Sequence, residues 1–305
     1  MNKDIKKPNF FILGAPKCAT TSFSEYLKQH PNIFIDRKEI KYFNTDFSKE
    51  VRKVHSKEEY LNHFEGAENF KAVGEATVWY LFSDDAVDNI LDFNPKSKFI
   101  VMVRNPVDLF HSLHSQKLLE LEETVSDPKR AWELRTQRRK GEKIPSTCRE
   151  SKILQYERIC KLGAQLKDLI EKVSEPSEKI KVIRLSDLKK DPKKVYEDVL
   201  DFLGLESDGK ERFPVYNQNE SLRTQILPKL IYFNKKGFLK KVSNYLKNID
   251  WINSTLKRFN DWNKKDQNRQ ELDPEFRDEL NKHFEEDQKL LGNIIEKYNL
   301  TYEEK

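Results

Sequence analysis

The sequence predicts an α/β fold in which a central parallel sheet is flanked by helices. Two apolar runs support this prediction: residues 10–13 (FFIL) and 99–103 (FIVMV) show no alternation of apolar and polar side chains. Such runs are typical of strands that are buried on both faces of a parallel sheet. Each run is followed by a stretch with helical character, as parallel strands require. A helical C-terminal extension is predicted at about residues 227–305.

Composition limits the classes to which the protein can belong. Its 305 residues, 37% hydrophobic and 35% charged, suffice for one domain, 1–305, with a sizeable core. The net charge of +5 does not indicate nucleic acid binding. No apolar run approaches the roughly 20 residues that cross a bilayer, and no apolar signal segment follows the N-terminal charges. Three cysteines without metal-ligand spacing favour a reducing compartment, so a cytoplasmic location is predicted.

Apolar spacing and helix caps predict the remaining elements. Residues 34–44 are predicted to be a polar turn between aromatic side chains. Asp191 and Gly204 are suited to cap the start and the end of a helix. The other predicted segments are a short strand that runs into an aromatic turn within 72–80, a strand at 179–185, and helices at about 24–30, 56–64, 151–172, 193–202 and 272–298.

A turn of small residues joins the first strand to the first helix. It contains one lysine, Lys17, followed by the hydroxyls of Thr20, Thr21 and Ser22. The first amides of a helix have no acceptor within it and lie at the positive end of its dipole. The junction therefore favours an anion. An ordinary turn with a solvated lysine is the alternative.

The turn departs from the ATP- and GTP-binding pattern G-x-x-x-x-G-K-[ST]. Counted from Gly14, the second glycine is replaced by Ala19, and the lysine lies three positions earlier than in the pattern, at Lys17. A nucleoside triphosphate site also requires an acidic residue after a later strand, whereas the run 99–103 ends at Arg104. A nucleoside or nucleotide kinase is therefore an alternative only, as is a non-catalytic nucleotide-binding module.

The letters APKCATTS, residues 15–22, resemble the 5′-phosphosulfate loop P-K-x-G-T-T of the sulfotransferases that use 3′-phosphoadenosine 5′-phosphosulfate (PAPS). In that family's 3′-phosphate segment, an arginine ends a strand and a serine follows eight residues later; Arg104 and Ser112 keep this interval. The resemblance implies a P-loop-like three-layer fold, and PAPS as the donor without a metal. It implies donor binding by Lys17, Cys18, Ala19, Thr20, Thr21, Ser22, Arg104, Ser112 and, in a late loop, Arg223.

The letters EIKYF, which begin at Glu39, are similar to the Glu-Val-x-Phe-Phe segment of heparan-sulfate-type sulfotransferases. There the glutamate is the general base that takes a proton from the attacking alcohol. Glu75 is the alternative base, in a stretch that resembles the family's Gly-Glu-Lys-Thr-Pro-x-Tyr segment. Ala76 and Val78 replace the lysine and the proline of that segment. The resemblance thus implies catalytic roles for Lys17 and for Glu39 or Glu75.

The resemblance at Glu39 implies that the acceptor is a carbohydrate with a hydroxyl or an amine, with a small molecule as the alternative. A helical insertion on the acceptor side is predicted at about residues 113–150, with seven basic residues around Trp132. These charges either form a solvated surface or attract a polyanionic glycan. A basic amphipathic helix at 235–247 is predicted to pack on the core, with peripheral membrane contact as the alternative. The sequence does not indicate the oligomeric state.

Overall fold

The computed structural model describes residues 5–216, 220–222, 264–266 and 271–301. Arg223 and the basic segment 235–247 lie outside the described residues. The strands of the main sheet are β1 (Phe10–Gly14), β2 (Ile33–Lys38), β3 (Ala72–Ala76), β4 (Lys98–Val103) and β5 (Ile180–Arg184). They form one parallel sheet in the order β2-β3-β1-β4-β5. The predicted α/β fold is therefore confirmed.

The centre of the sheet is apolar because β1 pairs with a strand on each side. Phe10 lies opposite Gly74 of β3 and Lys98 of β4. All residues of β1 and β3 are buried, as is β4 after its first residue. This explains the unbroken apolar runs in the sequence, since side chains on both faces of these strands are covered.

The edge strand β2 was not predicted. Its residues 33–35 pair with residues 72–74 of β3, although the whole region 34–44 is expected from the sequence to be a turn. Three apolar residues followed by charges are too short a signal to distinguish a strand from a loop, and pairing with β3 decides the matter. The consequence concerns the site, because β2 ends at Lys38 and places Glu39 directly at the edge of the sheet.

Helices flank the sheet, and a long C-terminal helix packs on two of them. Ser56 caps α2, Asp191 and Gly204 cap α11 as predicted, and Asp273 caps α12. The bounds of the helices are α1 (Thr20–Lys28), α2 (Lys57–Asn62), α3 (Ala86–Phe93), α4 (Pro106–Leu119), α5 (Pro128–Glu133), α6 (Arg135–Arg139), α7 (Tyr156–Cys160), α8 (Leu162–Lys172), α9 (Pro176–Lys179), α10 (Leu185–Lys190), α11 (Pro192–Leu203) and α12 (Pro274–Lys297).

The prediction of a single helix at 151–172 is wrong. A 3-10 turn at Ser151–Leu154 and the helices α7 and α8 replace it, because the backbone leaves helical geometry at Gln155 and Lys161. The side-chain amide of Gln165 donates to the carbonyls of Arg158, Ile159 and Lys161 at 3.0, 3.0 and 3.1 Å. The contact with Ile159 satisfies a carbonyl that a continuous helix would have paired with the Gly163 N–H, which donates to Asp287 instead.

The start of α8 is capped by a residue that lies far away in the sequence. The Asp287 carboxylate on α12 accepts the N–H groups of Gly163 and Ala164, both at 2.9 Å. A Cβ atom on Gly163 would lie 2.2 Å from the Asp287 carbonyl oxygen, so glycine is needed for this close approach. The cap fixes α12 against the domain.

Two further findings concern the organisation of the chain. The helices α5 and α6 lie within the predicted insertion 113–150, but the division into domains stays a prediction. Across the described parts of the chain, every helix is too short or too polar to cross a bilayer.

Candidate functional site

The carboxyl ends of four neighbouring strands bring the candidate residues to one edge of the sheet. Backbone hydrogen bonds join the segments that follow the strands: the Ala15 N–H donates to the Met102 carbonyl at 2.8 Å, and the Thr77 N–H donates to the Ile12 carbonyl at 3.1 Å. The Leu81 N–H likewise donates to the Leu13 carbonyl at 2.9 Å. Ligands of open α/β sheets bind at this edge.

The loop between β1 and α1 has an unusual backbone. Lys17 and Ala19 both adopt the left-handed conformation, with φ of 62° and 61°. A Cβ atom on Gly14 would lie 2.5 Å from the Val78 carbonyl oxygen, so the turn after β3 packs directly on the loop. The helix α1 begins at Thr20, earlier than the predicted start at 24, because the Phe23 N–H already donates to the Ala19 carbonyl at 3.1 Å.

The first turn of α1 lies beside a lysine that was not predicted as a site residue. The Lys38 amine is 2.9 Å from the Thr20 hydroxyl and 2.9 Å from the Thr21 hydroxyl. Burial lowers the pKa of Lys38 to about 8, whereas the nearby carboxylates of Glu39 and Glu25 raise it. The sequence signal is a lysine directly before the candidate base, and it can be used only once β2 is recognised.

Ser22 and Cys18 are oriented differently from the two threonines. The Ser22 hydroxyl accepts the Tyr216 N–H at 3.0 Å and donates to the Tyr216 carbonyl at 3.2 Å. Cys18 is fully buried, with its sulfur 3.5 Å from the Pro16 carbonyl oxygen, and burial raises the pKa of its thiol to about 12. The side chains of Ser22 and Cys18 thus serve the loop's packing, and donor binding by these two residues stays a prediction.

The two residues of the predicted 3′-phosphate segment lie on either side of a helix start. Arg104 follows β4, and its guanidinium donates to the Lys17 carbonyl at 3.2 Å. Asn105 caps α4, and Ser112 lies on that helix, 2% exposed. A cleft of about 530 Å³ lies beside Arg104 and is lined also by Arg184 and Lys189. This volume is in the range of small-molecule sites.

Glu39 lies directly after β2, where the chain turns. Its φ is 63°, and its N–H donates to the Ala76 carbonyl at 2.8 Å. One carboxylate oxygen accepts the Val78 N–H at 3.1 Å, and the other is 3.8 Å from the Lys41 amine. The Glu39 side chain is 26% exposed, so an acceptor can reach its carboxylate.

Glu75 is placed differently, inside the core and 1% exposed. Three hydroxyl groups donate to its carboxylate: Tyr60 at 2.7 Å, Tyr80 at 2.7 Å and Thr77 at 2.8 Å. Burial raises the pKa of Glu75 to about 7, although the three donors oppose the shift. Tyr80 is fully buried and is part of this core.

The hydroxyls on Glu75 also hold the segment that follows Glu39. The Tyr80 oxygen accepts the N–H groups of Tyr42 at 3.0 Å and Phe43 at 3.3 Å. The Thr77 oxygen accepts the Lys41 N–H at 3.4 Å. Glu75 therefore contacts the 41–43 backbone through two shared hydroxyl groups.

The basic residues around Trp132 are not all on the surface. Arg138 is fully buried, and its guanidinium donates to both carboxylate oxygens of Glu123 at 2.5 and 2.8 Å. Arg130 pairs with Glu133 at 2.7 Å. Part of the charge is thus neutralised within the protein. A cleft of about 200 Å³ is lined by Arg135, Arg139, Gln155, Glu157, Arg158 and Lys161.

Residues 7–293 match the family described as "Sulfotransferase domain". The chain belongs to the sulfotransferase family. The match spans residues 15–22, residues 104–112 and the candidate base Glu39, so the predicted family is confirmed. The positive φ of Ala19 also accounts for the glycine at this position in the P-K-x-G-T-T loop, because glycine adopts that conformation without steric cost.

Two known proteins are similar to this sulfotransferase. The crystal structure of a sulfotransferase from Alicyclobacillus acidocaldarius superposes with a TM-score of 0.70 at 25% identity, over 96% of this chain and 97% of that one. The "Membrane-associated sulfotransferase kil1" of Dictyostelium discoideum is 32% identical over 125 residues, 40% of this chain. The matched region spans 25% of the Dictyostelium protein.

Proposed function

We propose that this sulfotransferase transfers a sulfuryl group from PAPS to a hydroxyl or amine of a carbohydrate or another small acceptor. The main support is the meeting of two kinds of group at one edge of the sheet. Lys17 and Arg104, together with the start of α1, supply positive charge, and Glu39 supplies an accessible carboxylate. An anionic donor and a proton-bearing acceptor need these two kinds of group side by side.

The residues present fit the two phosphate ends of PAPS. Residues 14–22 contain no acidic side chain, and the first amides of α1 have no acceptor within the helix. Lys17, Thr20 and Thr21 are proposed to hold the 5′-phosphosulfate, and Arg104 and Ser112 the 3′-phosphate. The bound PAPS supplies a sulfuryl group whose bond to the bridging phosphate oxygen breaks. Lys17 then stabilises the charge that grows on the phosphate.

Glu39 is proposed as the base, rather than Glu75. A base must reach the acceptor's proton, and the Glu39 carboxylate is accessible beside the Val78 N–H. The Glu75 carboxylate is buried and already accepts three O–H groups. Glu39 thus takes the proton as the acceptor's oxygen or nitrogen bonds to sulfur, and Glu75 holds the neighbouring backbone.

The acceptor class rests on the similarity of residues 39–43 to heparan-sulfate-type sulfotransferases.

A cytoplasmic location is proposed from the three cysteines, and their described side chains form no disulfide. The Dictyostelium relative is described as membrane-associated, so peripheral membrane contact is kept in the proposal. Sedimentation of the protein with lipid vesicles tests this membrane contact.

Calorimetric titration with 3′-phosphoadenosine 5′-phosphate (PAP), the product left by PAPS, tests the donor. We expect tight binding without metal, and much weaker binding of AMP, which lacks the 3′-phosphate. ATP with Mg²⁺ is the competing ligand for a kinase. Preference for ATP with Mg²⁺ over PAP would overturn the donor assignment.

A further inference from the structure

We propose that Lys38 is a further residue of the donor site: its ammonium turns the hydroxyl hydrogens of Thr20 and Thr21 toward the bound anion, and loss of its proton withdraws them. This inference rests on the proposed donor site. It assigns a role to a residue outside both anion-binding segments of the sequence.

The first step is the position of Lys38. It is the last residue of β2, opposite Ala76 of β3, after an irregularity in the pairing that follows Ile35. Its amine reaches across to α1 and lies 2.9 Å from both threonine hydroxyls. The amine therefore lies at the start of α1, where the loop is suited to hold an anion.

The second step concerns the hydrogen atoms. An ammonium group has three donors and no acceptor, so both threonine oxygens accept from Lys38. Each hydroxyl hydrogen must then point away from the amine. Within the described residues, Lys38 is the hydrogen-bond partner of both hydroxyls, so their hydrogens can donate to an anion in the loop. Oriented in advance, such donors need no reorganisation when charge develops.

The third step is the effect of proton loss. A neutral amine has a lone pair and accepts a hydrogen bond, so a threonine hydroxyl can turn its hydrogen toward it. The loop then loses one positive charge and one donor together. Burial lowers the pKa of Lys38 to about 8, opposed by Glu39, which follows it, and by Glu25 on α1. From β3, the facing residue is the uncharged Ala76.

The sign of the pH dependence follows. Below pH 8 the free protein has the ammonium, and anion affinity is full. Above pH 8 the anion binds the protonated form preferentially, so affinity falls by up to about tenfold per pH unit and levels off where the neutral amine predominates in the complex as well. The bound anion also raises the pKa of Lys38, because it favours the charged amine.

Calorimetric titration between pH 6.5 and 9.5 tests the proposal, with PAP and inorganic pyrophosphate as probes. The wild type should lose about threefold to sixfold in affinity from pH 8.5 to 9.5. Lys38→Met should bind about 10- to 100-fold more weakly at pH 7 and show no such fall. Lys38→Arg keeps the charge and should also lack the fall. Lys28→Met is the matched control, because the Lys28 amine donates to the Asp36 carbonyl at an exposed position of the same strand.

A double-mutant cycle tests the role of the hydroxyls. In a Thr20→Val/Thr21→Val background, Lys38→Met should cost clearly less affinity than in the wild type. Equal costs in both backgrounds would overturn the orientation role, and an unchanged pH dependence in Lys38→Met would overturn the proposal as a whole. If PAP binds and its affinity does not fall above pH 8, the role of Lys38 is overturned while PAPS remains the proposed donor. If pyrophosphate alone binds and its affinity falls above pH 8, PAPS is overturned as the donor while the role of Lys38 is supported.

Discussion

The loop after β1 and the segment after β2 lie at the same edge of the sheet, but they are held in place by different means. The loop, residues 14–22, depends on its own backbone: Lys17 and Ala19 are left-handed, and Gly14 allows close contact with the turn after β3. Residues 41–43 are held by side chains from elsewhere. Their amides donate to the Tyr80 and Thr77 hydroxyls, which donate in turn to the buried Glu75.

Because of this difference, substitutions in the two regions should have different effects on binding and on stability. A locally determined loop can lose a binding group while its backbone keeps its shape. A segment that rests on a buried carboxylate depends on the stability of the core beneath it, and leaving such a group unsatisfied costs about 1–3 kcal/mol. Removing a charged binding group on the proposed donor side, such as that of Arg104, should change binding or chemistry with little change in stability, whereas changes under the proposed base should also change stability.

The largest expected effect is on the acceptor side. Glu39→Gln should lower kcat by about 10²- to 10⁴-fold, because an amide cannot take the acceptor's proton. Binding of PAP, measured by calorimetry, should stay within about twofold of the wild type, since the carboxylate does not belong to the donor loop. Glu171→Gln, an exposed substitution on α8, is the control. Full activity in Glu39→Gln would identify another base.

Glu75 should make stability depend on pH. Burial raises its pKa from 4.5 to about 7, so between these values the folded protein keeps a proton that the unfolded chain releases. Stability therefore falls as pH rises through this interval, by on the order of 3 kcal/mol. Urea unfolding at pH 5 and pH 7.5 measures the fall, and Glu75→Gln should remove this contribution. The same pH dependence in both proteins would contradict the assignment.

Arg104→Ala should weaken PAP binding about 10- to 100-fold, because a hydrogen bond to a charged group contributes about 1.5–3 kcal/mol. Stability should change little, as the guanidinium's described contact is one carbonyl, that of Lys17. Titration of PAP and thermal unfolding measure the two effects separately. Arg130→Ala, an exposed arginine on α5, is the matched control. Unchanged PAP affinity in Arg104→Ala would contradict the proposed contact between Arg104 and the 3′-phosphate.

Ala19→Gly should have the smallest effect and the opposite sign. A residue with a Cβ in the left-handed conformation costs roughly 1–2 kcal/mol, and glycine removes this cost. Glycine also loses more conformational entropy on folding, which offsets roughly 0.5–1 kcal/mol of the gain. We expect a stabilisation of at most about 1.5 kcal/mol with activity retained. Ala164→Gly in the helix α8 should instead destabilise by about 1 kcal/mol. A lower unfolding temperature in Ala19→Gly would show that the methyl group packs favourably.

The elements that were predicted correctly have local causes. The strand β1 follows from an unbroken apolar run, and α11 follows from the caps Asp191 and Gly204. The elements that were missed depend on distant partners. The break between α7 and α8 is stabilised by Gln165 and by Asp287 on α12, and β2 exists because β3 pairs with it. Arg138, expected among surface charges, is buried because Glu123 and Tyr156 surround it.

The family, the α/β fold and the strand-to-helix loop could be predicted from the sequence, because they depend on short continuous patterns such as APKCATTS and on strands that are apolar on both faces. The difference between the two glutamates, in contrast, follows from tertiary packing. Both follow or lie in strands at one edge, yet pairing and packing leave Glu39 accessible and bury Glu75 under three hydroxyls. The structure also decided that Lys38 meets Thr20 and Thr21, since parallel pairing brings the ends of separate strands to a common edge.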